Sequence, residues 1–381
     1  MTRHHRHKNW FWLVVGASFF VFVAGEVFLW AYQPLRDPYE ASRLVGHYIR
    51  REHKPNMHMV VTPEPGLPGM HGINHWTTNN LGFRGADIDS KKPENEYRIF
   101  LIGGSTTECL ILDDKDSLDA VIQSALQQMI GDNLSVRVYN AGISGDRSDD
   151  HVAMLSQRII HLEPDFIVVF SGINDLRAAI EGHDYLHLPV PGIAPWKLLA
   201  AQSQLGRLAY WVLKGHAPQV NASDQKPIET LYRLGVESQR SVPEATSPPR
   251  TNIGAYGNNL ETLAGIAHGH AIQMIFMTQQ TTWHSTVDPG ASEWHWLLRV
   301  ADLRYSEESM NAALMLLNDV MRQVADTNKI DVYDLAEDIP KSSEYFYDDV
   351  HFNTKGAAFA GKKLAAKIAP HIYAASLPIS E

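Results

Sequence analysis

The sequence predicts an α/β fold with a parallel sheet covered on both faces, preceded by one N-terminal transmembrane helix. Two observations carry this. Short continuous apolar runs alternate with segments whose apolar residues recur at helical spacing, the pattern of βαβ units. Ahead of them, residues 10–30 are apolar except for Glu26. That is roughly 30 Å of helix, the hydrocarbon thickness of a bilayer.

In chain order, residues 1–9 form a short basic tail, with Arg3, Arg6, Lys8 and no acid. Residues 10–32 are the membrane anchor, with Trp10, Trp12 and Trp30 placed for interfacial belts and basic residues before the span to keep the N-terminus inside. Glu26 falls about 24 Å past Trp10, near the far interface. A cleaved signal peptide and a buried helix are the alternatives, but no clear small-x-small cleavage pair follows the apolar run. Residues 33–95, rich in Pro, Gly, His and Asn, read as an extracytoplasmic lead-in without helical period. Within them Asn80-Leu81-Gly82-Phe83-Arg84-Gly85 is a turn-like element, with Arg84 pinning the lead-in to the domain or, alternatively, binding an anion.

The main domain is expected over 96–373, followed by a tail, 374–381. Its strands are read at 97–102, 136–139, 166–170, 271–277 and 330–335. Its helices are read at 117–130, 151–160, 307–325 and 354–369. Residues 180–260 break this rhythm with eight prolines and read as an insertion holding one helix, 196–213.

Composition narrows the function. At 44% apolar and 20% charged, the chain is globular and not disordered. A net charge of −10 argues against nucleic acid as the main partner. The single cysteine, Cys109, excludes an intrachain disulfide and reads as inert packing. His4, His5 and His7 read as part of the basic tail, and His268 with His270 has too few neighbouring ligands for zinc.

Chemistry-bearing residues fall at strand ends. Ile99–Ile102 runs into Gly103-Gly104-Ser105-Thr106-Thr107, delivering a hydroxyl to the carboxyl edge of a sheet, where open α/β folds keep their sites. Asp348-Asp349-Val350-His351 puts a carboxylate three residues before an imidazole. Ser, Asp and His in that chain order are the parts of an acyl-transfer triad. Ser105 is the candidate nucleophile, His351 the base, and Asp348 its orienter, with Asp349 competing for that place. Asn140–Gly145 follows the second strand and Ser171–Asp175 the third. From these the oxyanion donors are assigned to the N–H of Ser105, the N–H of Gly142 and the side-chain amide of Asn174. Taken alone, Ser105 also reads as a helix N-cap, Asn174-Asp175 as an Asx-turn and Ser144 as a turn residue.

These blocks resemble the SGNH (GDSL-like) hydrolases in order: Gly103-Gly104-Ser105, Gly142, Gly172-Ile173-Asn174-Asp175 and Asp348-Asp349-Val350-His351. The likeness covers roughly residues 97–371. Gly-Gly-Ser-Thr in place of Gly-Asp-Ser, with the Gly82-Phe83-Arg84 element, is similar to a bacterial membrane-anchored branch. That branch carries a Thr-Gln-Pro-like turn after the fourth strand, where this chain reads Thr278-Gln279-Gln280. The resemblance implies a three-layer α/β/α flavodoxin-like sandwich on a five-stranded, mainly parallel sheet. It implies acyl-ester hydrolysis or transfer with no metal and no organic cofactor.

The expected activity is a serine esterase cleaving acyl esters, O-acetyl groups among them, of a cell-envelope glycan or lipid. An O-acyltransferase using the same triad is the near alternative, and a non-catalytic envelope scaffold or glycan-binding module the distant one. Trp283, Trp294 and Trp296 read as core packing or as a platform for sugars. The main domain is expected outside the cytoplasm, tethered to the membrane.

Overall fold

The computed structural model describes residues 3–32, 35, 49–182, 195–213, 228–229, 232–284 and 287–376. The chain divides into two compact units. The first comprises residues 1–46 and 189–226, and the second residues 47–188 and 227–381.

In the first unit, α1 (Arg3–Tyr32) is a single helix that begins within the stretch expected as a basic tail. Its segment Trp12–Tyr32 has a mean hydropathy of 2.1, long and apolar enough to span a membrane.

The second unit opens with an antiparallel pair, β1 (His58–Thr62) and β2 (Asn74–Thr77), inside the expected lead-in. The strands β3 (Glu96–Gly103), β4 (Ser135–Asn140) and β5 (Phe166–Phe170) then begin the main sheet. Between and after them come α2 (Ser105–Glu108), α3 (Leu118–Ile130), α4 (Ser148–Gln157) and α5 (Ile173–Ile180). Within the first unit lie α6 (Pro195–Ala200) and α7 (Gln204–Leu213), two helices where the sequence predicts one. The break falls where the Ser203 hydroxyl turns back to accept from the Gly206 N–H.

The second unit resumes with α8 (Tyr232–Arg240) and α9 (Gly254–Gly269), both unforeseen in the proline-rich stretch. It closes with β6 (Gln273–Met277), α10 (Glu307–Asn328), β7 (Asp331–Tyr333) and α11 (Thr354–Ser376).

Five strands pair in the order β7-β6-β5-β3-β4, all parallel. Numbered among themselves this is 2-1-3-4-5, the flavodoxin-like order, with its switch point between β3 and β5. Both of those strands are buried on each face, so they read as unbroken apolar runs. On one face Leu118, Ile122 and Leu126 of α3 pack with Ala357, Leu364 and Ile368 of α11 against Ile99, Leu101 and Val168. On the other, Leu155 of α4, Leu260 and Leu263 of α9 and Leu314 and Leu317 of α10 cover Phe100, Ile102 and Val169. The expected three layers are present.

Arg84 pins the lead-in. Its buried guanidinium donates to the carbonyls of Glu108 (2.8 Å), Cys109 (2.9 Å) and Leu112 (3.2 Å) and pairs with Asp114 at 2.9 Å. The main-chain groups of Arg84 also bridge to Asn140 at the end of β4.

Candidate active site

Ser105 sits where β3 ends, as the first residue of the four-residue helix α2. The preceding Gly104 is needed for close approach. A Cβ there would lie 2.7 Å from the Asn174 amide nitrogen and 3.3 Å from the Asp146 carbonyl. The helix stops at Cys109, which is left-handed at φ 52°. Its buried thiol donates to the Thr106 carbonyl, and burial pushes its pKa up to about 12, so it is inert packing as expected.

The C-terminal turn reaches the same edge. His351 Nε2 lies 2.7 Å from Ser105 Oγ, across 246 residues of chain. Its Nδ1 is 2.7 Å from Asp348 Oδ2 and 2.9 Å from Oδ1. Asp348 is fully buried and heavily tied. Its Oδ1 also accepts from the Val350 N–H (3.0 Å) and the His351 N–H (2.8 Å), and its Oδ2 from Trp296 Nε1 (2.9 Å). Burial pulls the His351 pKa down, but the Asp348 carboxylate outweighs it and the net direction is up. Burial likewise raises Asp348, and the His351 charge and the four donors reverse this, leaving it below the ordinary carboxylate range. The Tyr347 ring stacks on the imidazole at 5.5 Å.

Asp349 faces elsewhere. It accepts from Trp283 Nε1 and the Trp296 N–H, both at 2.6 Å, and from the Leu297 N–H at 3.2 Å. It therefore holds the 296–297 segment whose indole reaches Asp348. Gln280 supports the turn from behind, donating to the Val350 carbonyl at 2.6 Å. Of the three tryptophans, Trp283 and Trp294 are core, while Trp296 is half-buried and lines the cavity over Ser105.

That cavity encloses about 510 Å³, and its wall includes Ser144, Gly145, Asn174, Tyr232 and Trp296 as well as Ser105 and His351. The Asn174 amide lines the cavity and donates one hydrogen to the Asp146 carbonyl at 2.8 Å, which leaves its second N–H still to donate. Its neighbour Asp175 is structural. It accepts from the Ser148 N–H (3.1 Å) and hydroxyl (2.5 Å) and from the Ser171 hydroxyl (2.9 Å), and burial raises its pKa to about 6.

The structure corrects the expectation at Gly142. That residue is not on the cavity wall, and its N–H is spent on Asn140 Oδ1 at 2.9 Å. Gly145, three residues on, is on the wall, and its N–H has no hydrogen-bond acceptor among the described residues. Gly145 adopts φ +82°, which glycine takes without strain. The physical reason is the length of the turn. Gly142 lies against Thr107 and Glu108, and the backbone reaches the cavity only in the turn at Ser144-Gly145, closed by the Asp146 N–H on the Ile143 carbonyl.

Ser144 does more than close a turn: its N–H (2.6 Å) and its hydroxyl both donate to the buried Glu108. Burial would raise Glu108, but its hydrogen bond to His53 and those from Ser144 hold it low. Arg51 braces the same turn, donating to the carbonyls of Ser144 and Gly145 at 2.8 Å each and pairing with Asp146 at 3.0 Å. The lead-in thus buttresses the cavity wall, a contact between residues some ninety positions apart with no local signature.

A hydroxyl, an imidazole and a carboxylate in series, set at the switch point of a flavodoxin-like sheet, are the arrangement of a serine-type acyl-ester hydrolase. A model of the GDSL-like lipase/acylhydrolase family matches residues 101–359. The chain belongs to that family and is an SGNH-type hydrolase. Among solved structures, an acetylxylan esterase from Geobacillus stearothermophilus is 15% identical with a TM-score of 0.41, covering 71% of this chain and 94% of its own. A lipase/acylhydrolase from Enterococcus faecalis is 16% identical with a TM-score of 0.38, covering 72% and 96% respectively. No curated protein matches the chain.

Proposed function

We propose that the protein is a membrane-anchored serine esterase that removes acyl groups, O-acetyl groups in the first instance, from a cell-envelope glycan or lipid. Ser105 Oγ attacks the ester carbonyl while His351 Nε2 takes its proton. The alkoxide of the collapsing intermediate leaves with that proton, and water attacks the acyl-enzyme by the same relay in reverse. Asp348 holds Nδ1–H and so keeps Nε2 as acceptor. The N–H groups of Ser105 and Gly145 and the Asn174 amide receive the oxyanion. Helix α1 tethers the enzyme, with Arg3, Arg6 and Lys8 on the cytoplasmic side and the cavity outside.

The observation that carries this reading is the 2.7 Å contact from Ser105 Oγ to His351 Nε2, continued at 2.7 Å from Nδ1 to Asp348. The test is labelling of the folded protein by a fluorophosphonate, with Ser105→Ala as control. Labelling of the wild type alone is expected. Equal labelling of both, or of neither, overturns the reading in favour of a scaffold.

A further inference from the structure

The first unit turns polar groups inward and apolar side chains outward. Trp196 and Leu199, three residues apart on one face of α6, are exposed, and so are Val212 and Leu213 at the end of α7. Along α1 the exposed apolar set runs from Trp10 to Tyr32. Gln204, by contrast, is buried and accepts from the Leu35 N–H at 2.7 Å. A water-soluble unit arranges such residues the other way round.

The backbone at the bend between α6 and α7 is satisfied from within the unit. The start of a helix leaves four N–H groups without a partner in it. At the head of α7 these belong to Ser203, Gln204, Leu205 and Gly206. That of Ser203 goes to the Ala200 carbonyl (3.1 Å), those of Gln204 (2.8 Å) and Leu205 (2.9 Å) to the Glu26 carboxylate, and that of Gly206 to the Ser203 hydroxyl (3.0 Å). The carbonyls of Lys197 and Leu199 take the N–H groups of Ala201 and Gln202, and the Ala201 carbonyl takes Arg207 Nε at 2.8 Å. Arg207 Nη1 reaches the Leu35 carbonyl, also at 2.8 Å. At a wetted surface water supplies such partners. Lipid cannot, so a backbone that enters it must close its own hydrogen bonds.

Charge and depth agree with lipid as the cover. Residues 195–213 hold Lys197 and Arg207 and no acid. The Lys197 ammonium sits 5.6 Å from the centre of the Trp196 ring, an aromatic and basic pair suited to the headgroup boundary. Glu26, near the far interface of a span that starts at Trp10, sets the depth of the α7 head bonded to it. Leu205 packs at the same level, where a Cβ on Gly25 would meet its Cδ1 at 3.4 Å. With ten residues, α7 is about 15 Å long, half the length needed to cross.

We infer that α6 and α7 are a monotopic membrane element, lying in the lipid beside α1 with Trp196, Leu199, Val212 and Leu213 against acyl chains. This rests on α1 spanning the bilayer, the membrane part of the reading above, and on nothing in the hydrolytic site.

The test places a nitroxide at one position at a time in the full-length protein, reconstituted in vesicles of phosphatidylethanolamine and phosphatidylglycerol. The variants are Leu199→Cys and Leu213→Cys on the element, Phe20→Cys within α1 and Leu316→Cys on the second unit. All four side chains are exposed, so no substitution opens a core, and the one native thiol, Cys109, is buried. Relaxation by oxygen, which dissolves in lipid, is expected to exceed that by a water-soluble nickel chelate several-fold at Leu199→Cys, Leu213→Cys and Phe20→Cys, and to fall below it at Leu316→Cys. A Phe20→Cys label in lipid with the Leu199→Cys and Leu213→Cys labels open to the nickel chelate overturns the inference and leaves the span standing. Labels at those two positions shielded from both agents also overturn it, since a second copy or another protein then covers the surface. A Phe20→Cys label in water removes the span, and the inference with it. Fluorophosphonate labelling of Ser105 in the same vesicles judges the hydrolytic reading separately.

Discussion

Replacing Asp348 by asparagine tests the proposed relay at its most constrained point. Oδ1 receives two main-chain N–H groups that cannot turn away, at 3.0 and 2.8 Å. The amide oxygen of an asparagine must therefore take that position, which puts its NH₂ where Oδ2 now meets the imidazole (2.7 Å) and the Trp296 indole N–H (2.9 Å). The indole cannot reverse its polarity. The imidazole can, by moving its proton from Nδ1 to Nε2, and it then presents a donor to Ser105 where an acceptor is required. Losing the productive tautomer lowers kcat about 10⁴-fold, or roughly 5.4 kcal/mol of activation free energy. The assay is kcat on 4-nitrophenyl acetate, with a thermal melt to show that the variant is folded. Asp349→Asn is the control. Its three partners are also donors, so it is expected to lose about 1–3 kcal/mol of stability but far less kcat. A folded Asp348→Asn within tenfold of wild type refutes the reasoning, as does an Asp349→Asn with the larger loss in kcat.

Three other outcomes follow from the same contacts. Because the Asp348 carboxylate holds the His351 pKa above its ordinary value of about 6.5, and the base must be neutral to act, kcat/KM should fall as pH drops through a midpoint above that value. In Asp348→Asn the residual rate should show the midpoint moved to lower pH, and an unmoved limb would mean that another group sets it. Asn174→Ala removes one oxyanion donor and is expected to cost about 10²–10³ in kcat, or about 2.7–4 kcal/mol, with little change in KM. A matching rise in KM would place the amide in ground-state binding instead. Arg84→Ala strips a buried guanidinium from three carbonyls and Asp114 and should destabilise the protein by about 3 kcal/mol in denaturant unfolding, and a loss under 1 kcal/mol would remove its pinning role.

The sheet was legible because its strands are buried on both faces. Unbroken apolar runs such as Phe166–Phe170 have no competing reading when helical segments flank them. Ser105 and Asn174 could be placed for a related reason, since each stands just past the end of a strand, whereas the Asp348–His351 turn offered only the three-residue spacing of its acid and imidazole. Gly142 was misplaced because a strand end fixes where a loop begins and not how it bends, and the bend carries Gly145 to the cavity. Arg177 carried one usable signal, its three-residue spacing from Asn174, but nothing in the sequence says that it reaches across to the carbonyls of Leu297 and Arg299. Helix α8 was hidden by the prolines on either side of it, and α9 by Pro248 and Pro249 just before it. The braces Arg51–Ser144 and Gln280–Val350 join residues 93 and 70 positions apart, beyond the reach of any local pattern.

The carboxylate of Glu26 has a use beyond reaching water. It accepts from the Ser203 hydroxyl and from the main-chain N–H groups of Gln204 (2.8 Å) and Leu205 (2.9 Å), closing off the head of α7. Removing the residues up to Tyr32 would strip the Gln204 and Leu205 N–H groups of their acceptor and leave the Ser203 hydroxyl as the remaining cap of that helix. It would also cast loose a stretch whose Trp196, Leu199, Val212 and Leu213 are all exposed. The division of the chain into units recommends two excisions in place of one: begin at residue 47, and join 188 to 227 through a short hydrophilic linker. Purification behaviour of the two truncations, sticky for the first and monodisperse for the second, would then record which residues keep company with α1.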